Sequence, residues 1–325
     1  MSERRRWLDP ASPIRVGISS CLLGKKVRFD GGHKQDSFLV HTFGRWVEWV
    51  PVCPELEVGM GVPRESVRLV ERAGEIRLVA SRSGADWTER MVELARRRAA
   101  ELAEAQLDGF VLKKDSPSCG MERVKVYRDG GMPVKNGVGL FARALLARAP
   151  SLPVEEEGRL NDPRLRDNFV ERVFAHHRLR RLFAGRWRTG ELVAFHTAHK
   201  LQLMAHSPAT YQALGRLVAV AKGMPRNDVR DTYAAQFMAG LKAIATPRRN
   251  ANVLLHILGY FKKLLDADDR AELLALIEDY RAGLVPLVVP VTLLRHWVRV
   301  HQVAYLVGQI YLEPHPRELM LRNHV

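Results

Sequence analysis

The 325-residue chain contains three cysteines, Cys21, Cys53 and Cys119, none close to another in sequence. An odd, scattered set does not suit the disulfide framework of a short secreted domain. It points to thiolate chemistry in a reducing, cytoplasmic setting. The neighbours are small residues and prolines: Ser19-Ser20-Cys21-Leu22-Leu23-Gly24, Pro51-Val52-Cys53-Pro54-Glu55 and Ser116-Pro117-Ser118-Cys119-Gly120. These let the backbone bend around a sulfur and turn N–H groups toward it, which also tunes an iron–sulfur cluster. Three soft thiolates suit zinc completed by a further ligand or water, or an iron–sulfur cluster with one open iron. They also suit three unrelated core positions, since a free cysteine packs as a small hydrophobe. With no CxxC pair, spacing leaves these readings open.

The elements around the cysteines favour convergence. Val16–Ser19, Trp49–Val52 and Phe110–Leu112 read as short strands, and each cysteine follows the carboxyl end of one. Ser83–Gln106 reads as a helix, with Met91, Leu94, Ala95, Ala99, Leu102 and Ala103 at helical spacing. The expected fold is an α/β N-terminal domain with a mostly parallel, Rossmann-like sheet. Ligands of such sheets collect outside the carboxyl ends of the strands. The second half reads as all-α, with helices over Arg164–Phe183, Thr189–Ala205, Pro208–Ala221, Asp228–Ala245, Ala251–Leu265, Asp268–Ala282 and Val291–Tyr311. The stretch Ala149–Asp162, APSLPVEEEGRLND, reads as a linker and divides the chain into domains 1–152 and 153–325.

The net charge is +15, with 26 Lys/Arg against 19 Asp/Glu in residues 1–150 and 25 against 17 in the remainder. Basicity spread over both halves implies a polyanionic partner, nucleic acid foremost; the plainer reading is an arginine-rich solvated surface. Lys113 and Lys114 precede the third cysteine, where they can meet phosphate. Lys200, Arg216, Arg248, Arg249, Lys262 and Lys263 are candidate RNA contacts in the second half, as are Arg178, Arg180, Arg181, Arg186 and Arg188. Tyr260 and Phe261 sit in an apolar pattern and are expected in the core. Ten of the twelve histidines lie in the second half. His196 and His199 share one predicted helix and His206 follows seven residues after His199, but they lack the carboxylate and clustering of a metal site, so they read as core or RNA-facing residues. No apolar run reaches the ~20 residues of a membrane span. Asp9, Pro10 and Arg15 interrupt any signal-peptide core before Cys21, so no such peptide is expected.

The motifs ISSCLLG, VRFDGG, VCPE, GVPRE and GFVLKKDSPSCG, in that order between Val16 and about Leu146, resemble the bacterial thiouracil desulfidase family. The motifs FHTAHK, LMAHS, LGR, NVLLHILGYFKK and PVTLL of the second half resemble its partner domain. The combination resembles the tRNA 4-thiouridine desulfidases. This resemblance implies a 4Fe-4S cluster held by Cys21, Cys53 and Cys119 with one open iron, and catalytic roles for Glu55 and Ser116. It implies that Asp30 and His33, in what is otherwise a turn signal, belong to a substrate-side loop. It implies tRNA as partner, with no membrane and no obligate protein partner. Glu55 also reads as a helix cap and Ser116 as a turn former. Two other functions stand beside the first: desulfuration of free thiouracil or thionucleotides, and non-catalytic RNA binding with a structural or redox-sensing metal.

Overall fold

The computed structural model describes residues 7, 12–128 and 131–325. It divides into two compact units, Pro13–Asn161 and Asp162–Val325, and the N-terminal segment containing Trp7 and Ser12 groups with the second.

The first unit contains β1 (Arg15–Ser19), β2 (Glu48–Val52), α1 (Pro54–Glu57), β3 (Val67–Arg72), β4 (Glu75–Ala80), α2 (Thr88–Glu104), β5 (Gly109–Leu112), β6 (Val124–Tyr127), β7 (Val134–Gly137), α3 (Leu140–Arg148) and β8 (Val154–Glu156). The three expected strands are β1, β2 and β5. They lie side by side in a parallel sheet of order β2-β1-β5-β8. All four residues of β5 are buried, as expected of an apolar run covered on both faces. Gly17 pairs with Phe110, and any Cβ at residue 17 would enter the Phe110 ring. The glycine is therefore required by the close approach of that ring.

A second sheet, β4-β3-β6-β7, was not evident in the sequence. It is mixed, with β3–β6 parallel and β3–β4 and β6–β7 antiparallel. Charged residues interrupt β3 and β4, and their hairpin turns on Ala73-Gly74, both at positive φ. Alanine is an unusual choice there, which hid the turn. Helix α2 begins at Thr88, later than Ser83, because Ser81–Asp86 turns back and Asp86 bridges to Val79. Thr88 Oγ1 accepts a bond from Leu78 N at 2.8 Å. Along α2, Ala95 and Leu102 enter one apolar cluster with Phe110, Leu112 and Phe141, while Met91 and Leu94 enter another with Leu69, Leu78 and Val126. The stretch expected as linker instead contributes β8, with Glu155 and Glu156 buried.

The second unit is helical: α4 (Pro163–Phe183), α5 (Thr189–His206), α6 (Pro208–Val220), α7 (Arg226–Lys242), α8 (Pro247–Gly259), α9 (Ala267–Ala282) and α10 (Val288–His301). Asp162, Ser207 and Thr246 cap α4, α6 and α8, each directly before a proline. The cap side chain satisfies a free N–H, and the proline gives up an N–H that had no helical partner. Asp266 caps α9 and Gly283, left-handed at φ 79°, ends it. Two expected C-terminal ends differ by more than a turn. Helix α8 stops at Gly259 rather than Leu265, followed by turns. Helix α10 stops at His301 because Gln302 is left-handed at φ 49°, and Tyr311 belongs to a separate 3-10 turn.

A layer of charge lies inside this unit. Glu171, 3% exposed, accepts from His206 Nε2 at 3.0 Å, Gln202 Nε2 at 3.0 Å and Arg322 at 3.4 Å. His315 pairs with Asp167 at 3.0 Å. The His206 cation and Arg322 hold the Glu171 carboxyl below its ordinary range despite burial, and Glu171 raises His206. His196 bonds Tyr233 at 3.1 Å and His199 bonds Phe195 O at 2.8 Å. Burial depresses them to about 4 and about 3. These three are core histidines.

Two consequences follow for stability. Above the ordinary histidine value of 6.5, the folded state still holds the His206 proton while the unfolded chain releases it, so stability falls as pH rises through the raised value. Below 6.5 the unfolded chain protonates at His196 and His199 before the folded one does, so stability falls there too. Urea unfolding of this unit, followed by far-UV circular dichroism, is expected to be most resistant near pH 6.5. Glu171→Gln strands two buried cations and is expected to cost ~3–5 kcal/mol in the same assay.

Candidate active site

Because β2, β1 and β5 are parallel neighbours, their carboxyl ends open on one edge. Ser19 pairs with Val52 and Ile18 with Val111. Cys21 follows β1 in a 3-10 turn, Cys53 follows β2 as the residue before α1, and Cys119 ends the loop after β5. All three line one cavity of about 390 Å³, with Glu55, Arg64 and Ser116. The cysteines are unpaired; Cys21 and Cys119 are buried and Cys53 is half-buried. Among the described residues, no three His, Cys, Asp or Glu side chains form a group able to hold a metal ion.

Burial pushes the Cys21 thiol up to about 11, opposed by Lys113 and Arg28. Burial raises Cys53 as well, with a Leu56 N–H and Arg64 opposing. Cys119 is raised well above the ordinary thiol value, by burial and then by the Glu55 charge. The thiols of the metal-free protein are therefore neutral at physiological pH, while nearby cations and N–H groups favour the thiolate that a metal demands.

Helix α1 presents Glu55 to the cavity. The capping role belongs to Glu57, whose Oε1 accepts from Cys53 N at 3.1 Å. Glu55 is free of it, and Ser116 Oγ donates to Glu55 Oε1 at 3.4 Å. The same hydroxyl accepts from Ser118 N at 3.2 Å and Cys119 N at 3.1 Å. Ser116 is thus both turn former and partner of the carboxylate, and its two sequence readings are compatible. The turn is held down by Gly139, where a Cβ would strike the Ser118 carbonyl.

Two features had no role in the sequence reading. Arg64, within the GVPRE motif, forms an ion pair with Glu55 and donates to Val27 O at 3.0 Å and Gly61 O at 2.9 Å. Its backbone N–H also donates to Phe29 O at 2.9 Å. Only the motif marked it beforehand, since a single arginine in a basic chain carries no signal. The second feature is the acidic triplet. Glu156 Oε1 accepts from Met121 N at 2.7 Å. Glu157 ion-pairs with Lys113 and accepts from Lys114 N at 2.7 Å. The supposed linker therefore clamps the Cys119 loop at both ends.

Lys113 and Lys114 line the cavity, but Asp30 and His33 do not figure in its wall, which takes Arg28, Phe29 and Lys34 from that segment. Asp30 Oδ1 accepts from Gly32 N at 3.0 Å, and His33 Nδ1 accepts from Gln35 N at 3.2 Å. Both serve the turn. In the helical unit Arg216, Arg248, Lys262 and Lys263 are exposed and Lys200 is half-buried. Arg249 donates to His206 O at 2.8 Å. Arg178 is 3% exposed and donates to Trp7 O and Pro314 O, so it is structural. Phe261 is buried as expected, but Tyr260 is 39% exposed. None of the described helices is long and apolar enough to cross a membrane.

Residues 16–157 match the 2-thiouracil desulfurase family, and residues 200–316 match a protein family of unknown function, DUF1722. The chain belongs to both, one in each half. The uncharacterized protein YbgA of Escherichia coli (strain K12) is 36% identical over 165 residues, covering 50% of this chain and 98% of YbgA. The uncharacterized protein YbbK of Bacillus subtilis (strain 168) is 31% identical over 150 residues, covering 45% of this chain and 97% of YbbK. A solved structure of the 4Fe-4S-dependent thiouracil desulfidase TudS is 32% identical, covering 46% of this chain and 94% of that one, with a TM-score of 0.37.

Exposure and burial set an order of thiol reactivity. In metal-free protein Cys53 is expected to alkylate first and Cys119 last, with rates still rising above pH 9. Iodoacetamide labelling read by peptide mass spectrometry checks this; fast labelling of Cys119 would contradict the burial described.

Proposed function

We propose that the chain is a 4Fe-4S-dependent desulfidase that converts 4-thiouridine in tRNA to uridine, with Cys21, Cys53 and Cys119 holding the cluster through three of its irons. The donor set fits: the only three cysteines of the chain share one cavity with cations beside them. When bound, the cluster supplies a Lewis-acidic iron with an affinity for soft sulfur. The chain would offer such a cluster no fourth cysteine.

The chain's own residues carry the proton work. Glu55 takes a proton from the water that attacks the thiolated carbon. Arg64 holds that carboxylate in place, and Ser116, bonded to its other oxygen, positions it and relays the proton. Carbon–sulfur cleavage releases sulfide and leaves a carbonyl, so water is consumed and no electrons are exchanged. The observation that carries this reading is the Glu55–Ser116 contact at 3.4 Å inside the cavity that the three cysteines line.

The basic helical unit supports tRNA as substrate, with the thiolated base displaced from its stack to reach the cavity. The family description favours the smaller substrate, free thiouracil. The two substrates separate these readings. Anaerobically reconstituted protein is expected to remove the near-UV absorbance of thiolated tRNA, and unchanged absorbance would refute the tRNA assignment. Glu55→Gln is expected to keep its iron and lose ~10²–10⁴-fold in rate. Undiminished turnover in that variant would refute the mechanism. A chain that binds RNA and iron but desulfurates neither substrate would be the non-catalytic alternative.

A further inference from the structure

The helical unit contains a second cavity, of about 450 Å³, lined by the later part of α10 and the segment beyond it. Its wall carries Arg295, His296 and Arg299 from α10, Arg317 from the segment, and one carboxylate, Glu313. Glu313 is already matched, in an ion pair with Arg295. Arg299 donates to His296 Nδ1 at 3.3 Å and has no carboxylate partner among the described residues. Arg317 is 82% exposed at its side chain, and Glu318 lies 3.6 Å from its Nε. The cavity is thus cationic beyond its internal pairing, in a chain that carries a net charge of +15.

Gln309 also lines this wall and is 2% exposed. Its amide nitrogen donates to Thr197 O at 2.9 Å and Tyr305 O at 3.2 Å, while Oε1 is left without a donor. A buried acceptor lacking a donor is a group that a ribose hydroxyl can satisfy. The same segment holds Tyr305, stacked on Tyr260 at 4.9 Å between ring centroids. Exposed Lys262 and Lys263 follow Tyr260 in the chain. Arginines, lysines and partly exposed aromatic rings together form the composition of an RNA-strand surface.

We propose that this cavity binds a backbone phosphate of the RNA substrate, with Arg299 and Arg317 as its contacts and Arg295 fixed at the wall by Glu313. The inference rests on the tRNA reading above and assigns part of that grip to α10 and the segment after it. None of these arginines stood among the contacts expected from sequence.

The test titrates full-length protein with unmodified tRNA across a range of salt, comparing wild type, Arg299→Gln/Arg317→Gln and Arg299→Lys/Arg317→Lys. Losing two phosphate contacts is expected to weaken binding by on the order of tenfold or more and to lower the salt slope by about two. The lysine pair, which keeps the charges, is expected to retain most of both. If wild type binds no tRNA, the tRNA reading fails and takes this inference with it. If wild type binds and the glutamine pair binds equally with the same slope, this inference alone fails. An equal loss in the lysine pair would mark a structural effect and overturn it. Loss of uridine monophosphate binding with unchanged tRNA binding would assign the cavity to a free nucleotide and overturn it too.

Discussion

Parallel pairing of β2, β1 and β5 is the constraint from which the candidate site follows. Parallel neighbours present all their carboxyl ends to one edge, whatever the sequence distance between them. Cys21, Cys53 and the loop ending at Cys119 meet at that edge for this reason. Pairing depends in turn on the fit between Gly17 and the Phe110 ring, which allows no side chain at residue 17. A packing contact in the core thereby sets the placement of a polar edge.

The loops off that edge are held by polar bonds. Arg64 ties Glu55 to the carbonyls of Val27 and Gly61, while Glu156 and Glu157 tie the Cys119 loop to the end of β8. The clamps give partners to backbone groups of these loops, among them the Val27 carbonyl and the Met121 N–H. The helical unit uses the same economy at its helix starts, where Asp162, Ser207 and Thr246 each act with a following proline.

What was legible in the sequence was what is local. The helices and three strands of the parallel sheet follow from periodicity and cap chemistry, because those signals lie within a few residues. The cysteines' convergence was legible because one topology rule turns strand order into proximity. The second sheet was hidden by charges on half-exposed strands and by Ala73 in a turn that usually takes Asn, Asp or Gly. Glu156 and Glu157 were hidden because their partners lie far away in the chain, and Arg64 because one arginine in a basic chain carries no signal outside its motif. At Asp30 and His33 the sequence offers two readings, since a turn motif near a site carries the same residue types as a binding loop.

Strand β8 also bears on where the first unit can be cut. Acidic residues beside a glycine look dispensable, and a fragment ending at residue 152 would contain every cysteine together with Glu55 and Ser116. It would lack the strand paired with β5 and the carboxylates that anchor Met121, Lys113 and Lys114. The third cysteine would then sit on a tether instead of a fixed post. The compact unit on this side of the chain runs to Asn161, and a cut there keeps β8 and its carboxylates.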